Sequence, residues 1–124
     1  MGTIYLDILV KRLPADPKGE TLQFLVDTGA VYTLAPGDAL NRLGIAPHRT
    51  LTLTLADGSK TTREMGGAYF EYQGIGGVAP VLFGIVGDMN LLGVTTMEAM
   101  GLMIDPLTRD LRQLPAMLAK ISIG

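Results

Sequence analysis

Glycine and proline interrupt this chain too often for any long regular element to form. Sixteen glycines and seven prolines are spread along 124 residues with no collagen-like period. Each favours a turn or a stop, so the segments between them must be short. Helix is a minority in every such segment, and the expected class is all-β with one or two short helices. The length supports one hydrophobic core and a single domain over residues 1–124. Hydrophobic residues make up 48% and charged residues 18%, which excludes a disordered chain.

Composition removes several functions. There is no cysteine, so a disulfide scaffold and a thiolate metal site are both excluded, and the chain suits a reducing compartment. A net charge of −2 with scattered basic residues leaves no footprint for nucleic acid. The single histidine, His48, sits beside Pro47 in a loop with no carboxylate near it in sequence, which reads as a solvated surface residue. The twelve carboxylates show no metal-ligand spacing, so neither a metal nor another cofactor is expected. Ser59 and Ser122 lack a nucleophile-elbow context. Met1 to Lys11 does not read as a secretory leader, and Leu6 occupies the place where a myristoylation signal wants Ser or Thr. With no apolar run long enough to cross a bilayer, the expectation is a cytoplasmic protein with no membrane partner.

Thr3 to Val10 and Thr21 to Val26 read as strands, the second apolar enough at its end to be buried on both faces. Pro36 to Leu43 reads as a helix opened by Pro36 and closed by Gly44. Leu51, Leu53 and Leu55 alternate with Thr52, Thr54 and Ala56, the pattern of a half-buried strand. Asp57-Gly58 then signals a two-residue hairpin turn. The return strand is expected from Lys60 to about Tyr72 with a bulge at Gly66-Gly67. Gly74 to Gly77 reads as a further turn, Val78 to Val86 as a buried strand, and Leu91-Leu92-Gly93 as a short strand with a stop. Val94 to Met100 reads as a short helix with Thr95 or Thr96 as its cap and Gly101 after it. Leu102 to Ile104 and Asp110 to Leu114 complete a hairpin about Asp105-Pro106. Met117, Leu118, Ile121 and Ile123 make the stretch 117–123 apolar, and it is expected to be covered, since a free apolar tail would be an exposed liability.

The chemistry concentrates at Asp27-Thr28-Gly29. A carboxylate delivered straight out of the apolar run Phe24-Leu25-Val26 is costly unless it is paired or hydrogen-bonded. Thr28 can hydrogen-bond locally, and Gly29 lets the backbone approach a neighbour closely. The tripeptide alone fits an ordinary strand-ending turn better than a catalytic loop. Its context is what distinguishes it. Ala30 follows, Thr33 stands six positions after Asp27, and Leu91-Leu92-Gly93 leads into a short helix about sixty residues on.

This ordered set resembles the retropepsin-like aspartic proteases, the single-domain branch that includes the retroviral enzymes and small prokaryotic relatives. Residues 24–33 match the family's apolar run into Asp-Thr-Gly-Ala with a Thr beyond it. Leu51 to Met65 occupies the place of the flap hairpin. Leu92-Gly93 through Asp105-Pro106 is similar to the prokaryotic members in particular. The resemblance implies a closed β-barrel or sandwich subunit that acts as a homodimer. It implies that Asp27 is catalytic, that Thr28, Gly29, Ala30 and Thr33 support the active-site loop, and that Ala56, Asp57, Gly58 and Ser59 form a substrate-binding flap tip. Leu91, Leu92 and Gly93 would then be the second glycine motif.

Two departures stand out. Retroviral members carry an acid just after Asp-Thr-Gly-Ala and an arginine just after the second glycine motif. Here those places hold Val31 and Val94, so both charges are missing together. Gly74-Ile75-Gly76-Gly77 imitates a glycine-rich flap tip by letters, but its position assigns it to the next hairpin. The implied function is an endopeptidase in which two Asp27 carboxylates of a symmetric homodimer activate a water against a polypeptide. The alternative is a dimerisation or peptide-binding module of the same fold with little or no turnover.

Overall fold

Leu6, Ile8 and Val10 are buried, while Tyr5 and Asp7 between them face out. That period of two makes Tyr5–Lys11 a strand, β1, with one face on the core. The computed structural model describes residues 3–114, so the expectation about 117–123 lies outside the described residues. After β1 come β2 (Gly19–Val26), β3 (Thr33–Pro36), α1 (Gly37–Arg42), β4 (Arg49–Thr54), β5 (Lys60–Tyr72) and β6 (Ile75–Gly84). The chain continues with β7 (Leu91–Leu92), α2 (Val94–Ala99), β8 (Leu102–Ile104) and β9 (Leu111–Gln113). The described chain is mostly β with two short helices.

Seven strands form a mixed sheet in the order β1-β2-β7-β3-β6-β5-β4. β1 also pairs with β5, placing Val10 opposite Phe70, so the run of pairings from β1 through β5 returns to β1. β8 and β9 make a separate hairpin. Inside the ring of pairings lie Ile8, Val10, Phe24, Phe70, Val81 and Leu92, all fully buried. The rings of Phe24 and Phe70 meet edge to face, with centroids 6.4 Å apart. This geometry suits the opposed charges of ring edge and ring face.

Several expectations hold in detail. The return strand runs from Lys60 to Tyr72, Gly44 and Gly101 take positive φ just after the two helices, and Gly58 takes a φ of 86° in its turn. Pro36 precedes the first helical residue rather than being it.

Other readings need correction. β2 is not buried on both faces: Phe24 is buried, Leu22, Leu25 and Val26 are half-buried, and Thr21 and Gln23 are exposed. Only one of its faces meets the core. There is no bulge at Gly66-Gly67, because the register from Met65↔Leu82 to Tyr72↔Ile75 is unbroken. Gly66 is needed for space, since a Cβ there would lie 3.1 Å from both Ile45 and Phe83. The turn expected over Gly74 to Gly77 is made by Gln73 and Gly74, both at positive φ, while Gly76 and Gly77 belong to β6. The Asp57-Gly58 loop is longer than two residues. Leu55 and Ser59 close it through Leu55 N–H to Ser59 O, and Asp57 does not take positive φ. Neither Thr95 nor Thr96 caps α2, whose N-cap is Gly93 with no side-chain bond.

Gly77 shows how the second helix is seated. A Cβ at Gly77 would collide with the Ala99 carbonyl, so the end of α2 lies directly on bare backbone of β6. Gly77→Ala should force the helix outward and lower stability by about 1–3 kcal/mol. Gly67→Ala, where a Cβ meets nothing within 4 Å, should leave stability unchanged or slightly higher. Urea denaturation of the two variants compares them directly.

Candidate active site

β7 is two residues long, yet it lies between β2 and β3. It runs parallel to β2, with Val26 opposite Leu92, and antiparallel to β3, with Leu34 opposite Leu91. The Leu25 N–H donates to Asn90 O at 2.9 Å, and the Asp27 N–H donates to Leu92 O at 3.0 Å. β2 is therefore held by β7 up to the residue that carries the carboxylate. Beyond it the chain turns at once, with Ala30 N–H on Asp27 O at 3.1 Å. The Gly29 N–H donates to Asp27 Oδ1 at 2.9 Å, so the carboxylate is held by its own loop. A Cβ on Gly29 would sit 3.3 Å from that oxygen, tight enough to disturb the contact.

The loop is tied down a second time from α2. Val94 N–H donates to Ala30 O at 2.9 Å, and Thr95 N–H donates to Val31 O at 3.0 Å. Asp27 and Ala30 are half-buried, while Thr28, Gly29 and Val31 are exposed. Thr28 borders a small cavity of about 130 Å³ with Val94, Met97, Leu102, Ile104 and Leu114.

Thr33 fastens the second glycine motif. Its buried hydroxyl accepts the Gly93 N–H at 2.9 Å and lies 2.5 Å from the hydroxyl of Thr96. Gly93 must be glycine, because a Cβ there would sit 2.9 Å from Thr33 N and collide with the Tyr32 carbonyl. Asp27, Thr28, Gly29, Ala30, Thr33, Leu91, Leu92 and Gly93 thus converge from three strands. Thr96 belongs with them, although from the sequence it reads only as a possible helix cap. A threonine three residues past a strand stop, at the start of a helix, looks like a cap, and nothing local announces a hydroxyl partner 63 residues away.

Ala56, Asp57, Gly58 and Ser59 lie elsewhere, exposed at the tip of the β4–β5 hairpin. The Asp57 carboxylate accepts both the side-chain hydroxyl of Ser59, at 2.5 Å, and its backbone N–H, at 2.8 Å. Those bonds, the hydroxyl foremost, hold its pKa below the usual carboxylate value. A cavity of about 780 Å³ opens beside the stem of this hairpin, and Asp27 does not line it. Its walls are the hairpin stem at Thr50 and Thr62–Glu64, the start of α1, and residues 85–90 between β6 and β7. Arg63 spans two of these walls, with Nε 2.8 Å and Nη2 2.9 Å from the two carboxylate oxygens of Asp88. That hydrogen-bonded arginine holds the Asp88 carboxyl below its ordinary pKa. Among the described residues no cluster of three or more His, Cys, Asp or Glu could hold a metal ion, and no helix is long and apolar enough to cross a membrane.

A sequence profile described as "Aspartyl protease" matches residues 13–105. No curated protein matches the sequence. Among solved structures, the solution structure of simian foamy virus (mac) protease is similar, with a TM-score of 0.54 at 23% identity. The match covers 77% of this chain and 92% of the viral one, and it shows a shared fold.

Two outcomes are expected. Thr33→Val leaves the buried Gly93 N–H and the Thr96 hydroxyl without their partner, so it should cost about 1–3 kcal/mol in urea denaturation. Thr33→Ser keeps the hydroxyl and should cost clearly less; equal losses would mean that Thr33 matters only for packing. The second outcome concerns pH. Because the folded pKa of Asp88 is depressed, its contribution is fully present above the unfolded value near 3.8 and is lost as pH falls through the folded value. The stability difference between wild type and Asp88→Asn should therefore be flat above about pH 5 and shrink below it.

Proposed function

The chain belongs to the aspartyl protease family, and from that membership we propose that it is a retropepsin-like endopeptidase subunit that works as a symmetric homodimer. The observation that carries this reading is the placement of Asp27. It leaves β2 against β7, is held by Gly29 N–H, and is followed by a loop anchored on α2. An ordinary strand-ending turn does not need a glycine pressed on Tyr32 and Thr33 from a distant strand.

The sequence contains one Asp-Thr-Gly, so one subunit supplies one carboxylate and a partner must supply the other. Two carboxylates close together cannot both ionise, and they share a proton. One of them takes a proton from a water, which attacks the peptide carbonyl. The other, protonated, donates a hydrogen bond to the carbonyl oxygen. As the tetrahedral intermediate collapses, the leaving nitrogen takes a proton from the dyad and the pair returns to its singly protonated state. Thr28, Gly29, Ala30 and Thr33 brace the loop, and the second glycine motif holds it from below. An extended peptide would lie between the dyad and the β4–β5 hairpin, pairing its backbone with the hairpin's strands. Exposed Val31, in place of the acid of retroviral members, favours apolar residues on that peptide. The likeness of Leu92-Gly93 to Asp105-Pro106 to prokaryotic members supports a place in that branch as part of this proposal, and the cysteine-free composition suits the cytoplasm.

A second reading keeps the fold and drops the chemistry. One carboxylate per chain and a cavity of about 780 Å³ that Asp27 does not line also suit a dimeric peptide-binding module with little or no turnover.

Subunit mixing separates the two. Asp27→Asn is nearly isosteric, so the variant should fold and dimerise, but it cannot ionise. With equal amounts and random exchange, roughly half the dimers are mixed and about a quarter are fully wild type. Peptide cleavage per wild-type subunit should then fall by about half, and further with excess variant. Activity that stays flat, with exchange confirmed by mass spectrometry, would show that each subunit acts alone. Absence of cleavage by the wild-type dimer across mildly acidic pH, with peptides still bound, would establish the module reading.

A further inference from the structure

The β4–β5 hairpin is weakly attached to the rest of the protein. Among the described residues β4 pairs with β5 alone, and the strand residues from Thr50 to Glu64 are exposed or half-buried. Leu51 and Leu53, the apolar residues of β4, are only half-buried, and Leu55 is exposed. Among the described residues, the side-chain hydrogen bonds of the hairpin stay within it, at Asp57–Ser59 and Lys60–Thr54, with one exception. The exception is Arg63 with Asp88.

That pair differs from the other ion pairs among the described residues. The side chains are 13% and 20% exposed, whereas the arginines of the Arg12–Asp16, Arg42–Glu20 and Arg112–Asp105 pairs are 47% to 57% exposed. A pair shielded in this way is screened less by water and salt. Four of the five N–H donors of the guanidinium are engaged. Nη1 donates to Thr61 Oγ1 at 2.9 Å and to Thr62 O at 2.7 Å, while Nε and Nη2 grip the carboxylate. The carboxylate is equally committed, because Asp88 Oδ2 also accepts the Ile85 N–H at 2.9 Å and so shapes the loop after β6. One forked contact therefore fixes both the root of the hairpin and the fold of the loop facing it.

We propose that Arg63 and Asp88 are positioning residues for peptide binding: their ion pair locks the hairpin stem to the 85–90 loop, so that these two cleft walls keep a fixed spacing and the arm from Thr52 to Thr62 moves about that pin. Leu51 pairs with Arg63 across the hairpin, which puts the pivot at that rung of the ladder. The lock acts through wall spacing and not through contact with the reacting atoms. The proposal rests on the proteolytic reading for its catalytic consequence, but the mechanical part is independent of it.

The experiment uses full-length Arg63→Met, Asp88→Asn and the double variant. Arg63→Met keeps the apolar stem, and Asp88→Asn keeps an oxygen for the Ile85 N–H. Hydrogen exchange in the loop 85–90 and in the hairpin 50–64 should speed up roughly ten-fold in each single variant, with the β1–β2 amides unchanged. The double variant should be little worse than either single one, as expected for two residues that act through one contact. For peptide cleavage, KM should rise about five-fold or more while kcat stays within about two-fold, and Arg63→Lys should recover part of the loss. Unchanged exchange in the loop and hairpin, or effects that simply add in the double variant, would overturn the lock. If the wild type cleaves nothing, the proteolytic reading fails and the exchange data alone decide this one.

Discussion

Everything around Asp27 depends on a two-residue strand being admitted between two longer ones. β7 can enter only because Gly93 follows it, since any side chain there would strike the backbone of Tyr32 and Thr33. The close approach brings Gly93 N–H within reach of the Thr33 hydroxyl, and the buried hydroxyl in turn finds Thr96. Three groups that would each be costly to bury alone satisfy one another. Once β7 is seated, its carbonyls hold the last residues of β2, and the carboxylate is delivered to a fixed place. The loop then has only to close over two turns of hydrogen bonding, from Gly29 to the carboxylate and from α2 to Ala30 and Val31.

The sheet supports this arrangement from outside. β1 pairs with both β2 and β5, so the strand that carries Asp27 is backed by a neighbour that is itself anchored across the core. The hairpin of β4 and the first half of β5 lies beyond that ring and shares few of its contacts. Ties to the rest of the protein are thus dense around the carboxylate and sparse along the β4–β5 arm. The Arg63–Asp88 pair sits at the boundary between the two regimes.

Local chemistry was legible in the sequence where it was self-contained. The β5 boundaries followed from Asp57-Gly58 on one side and Gly74 on the other, and Gly44 and Gly101 marked helix ends because positive φ is a local demand. The candidate site was legible through Phe24-Leu25-Val26-Asp27 and Leu91-Leu92-Gly93, whose order carries the family resemblance. What failed was set by distant partners. Gly66 reads as a bulge until Ile45 and Phe83 are known to press on it, and Gly76-Gly77 reads as a turn until Tyr69 and Ala99 are known to cover those positions. Thr96 and Arg63 carry no local signal for their roles, because a hydroxyl 63 residues away and a carboxylate 25 residues away define them.

The place of β7 in the sheet also sets an order of events during synthesis. β2 and β3 leave the ribosome long before residues 91 and 92, and they cannot complete their pairing until that late strand arrives between them. Non-local pairing of this kind makes folding slow and exposes unpaired edges in the meantime. The same delay means that a nascent chain carries Asp27 on an unformed loop until the segment through α2 has emerged. A loop tied to β7 and α2 in this way is completed only after residues 91–99 have emerged, so its geometry is among the last features of the fold to be set.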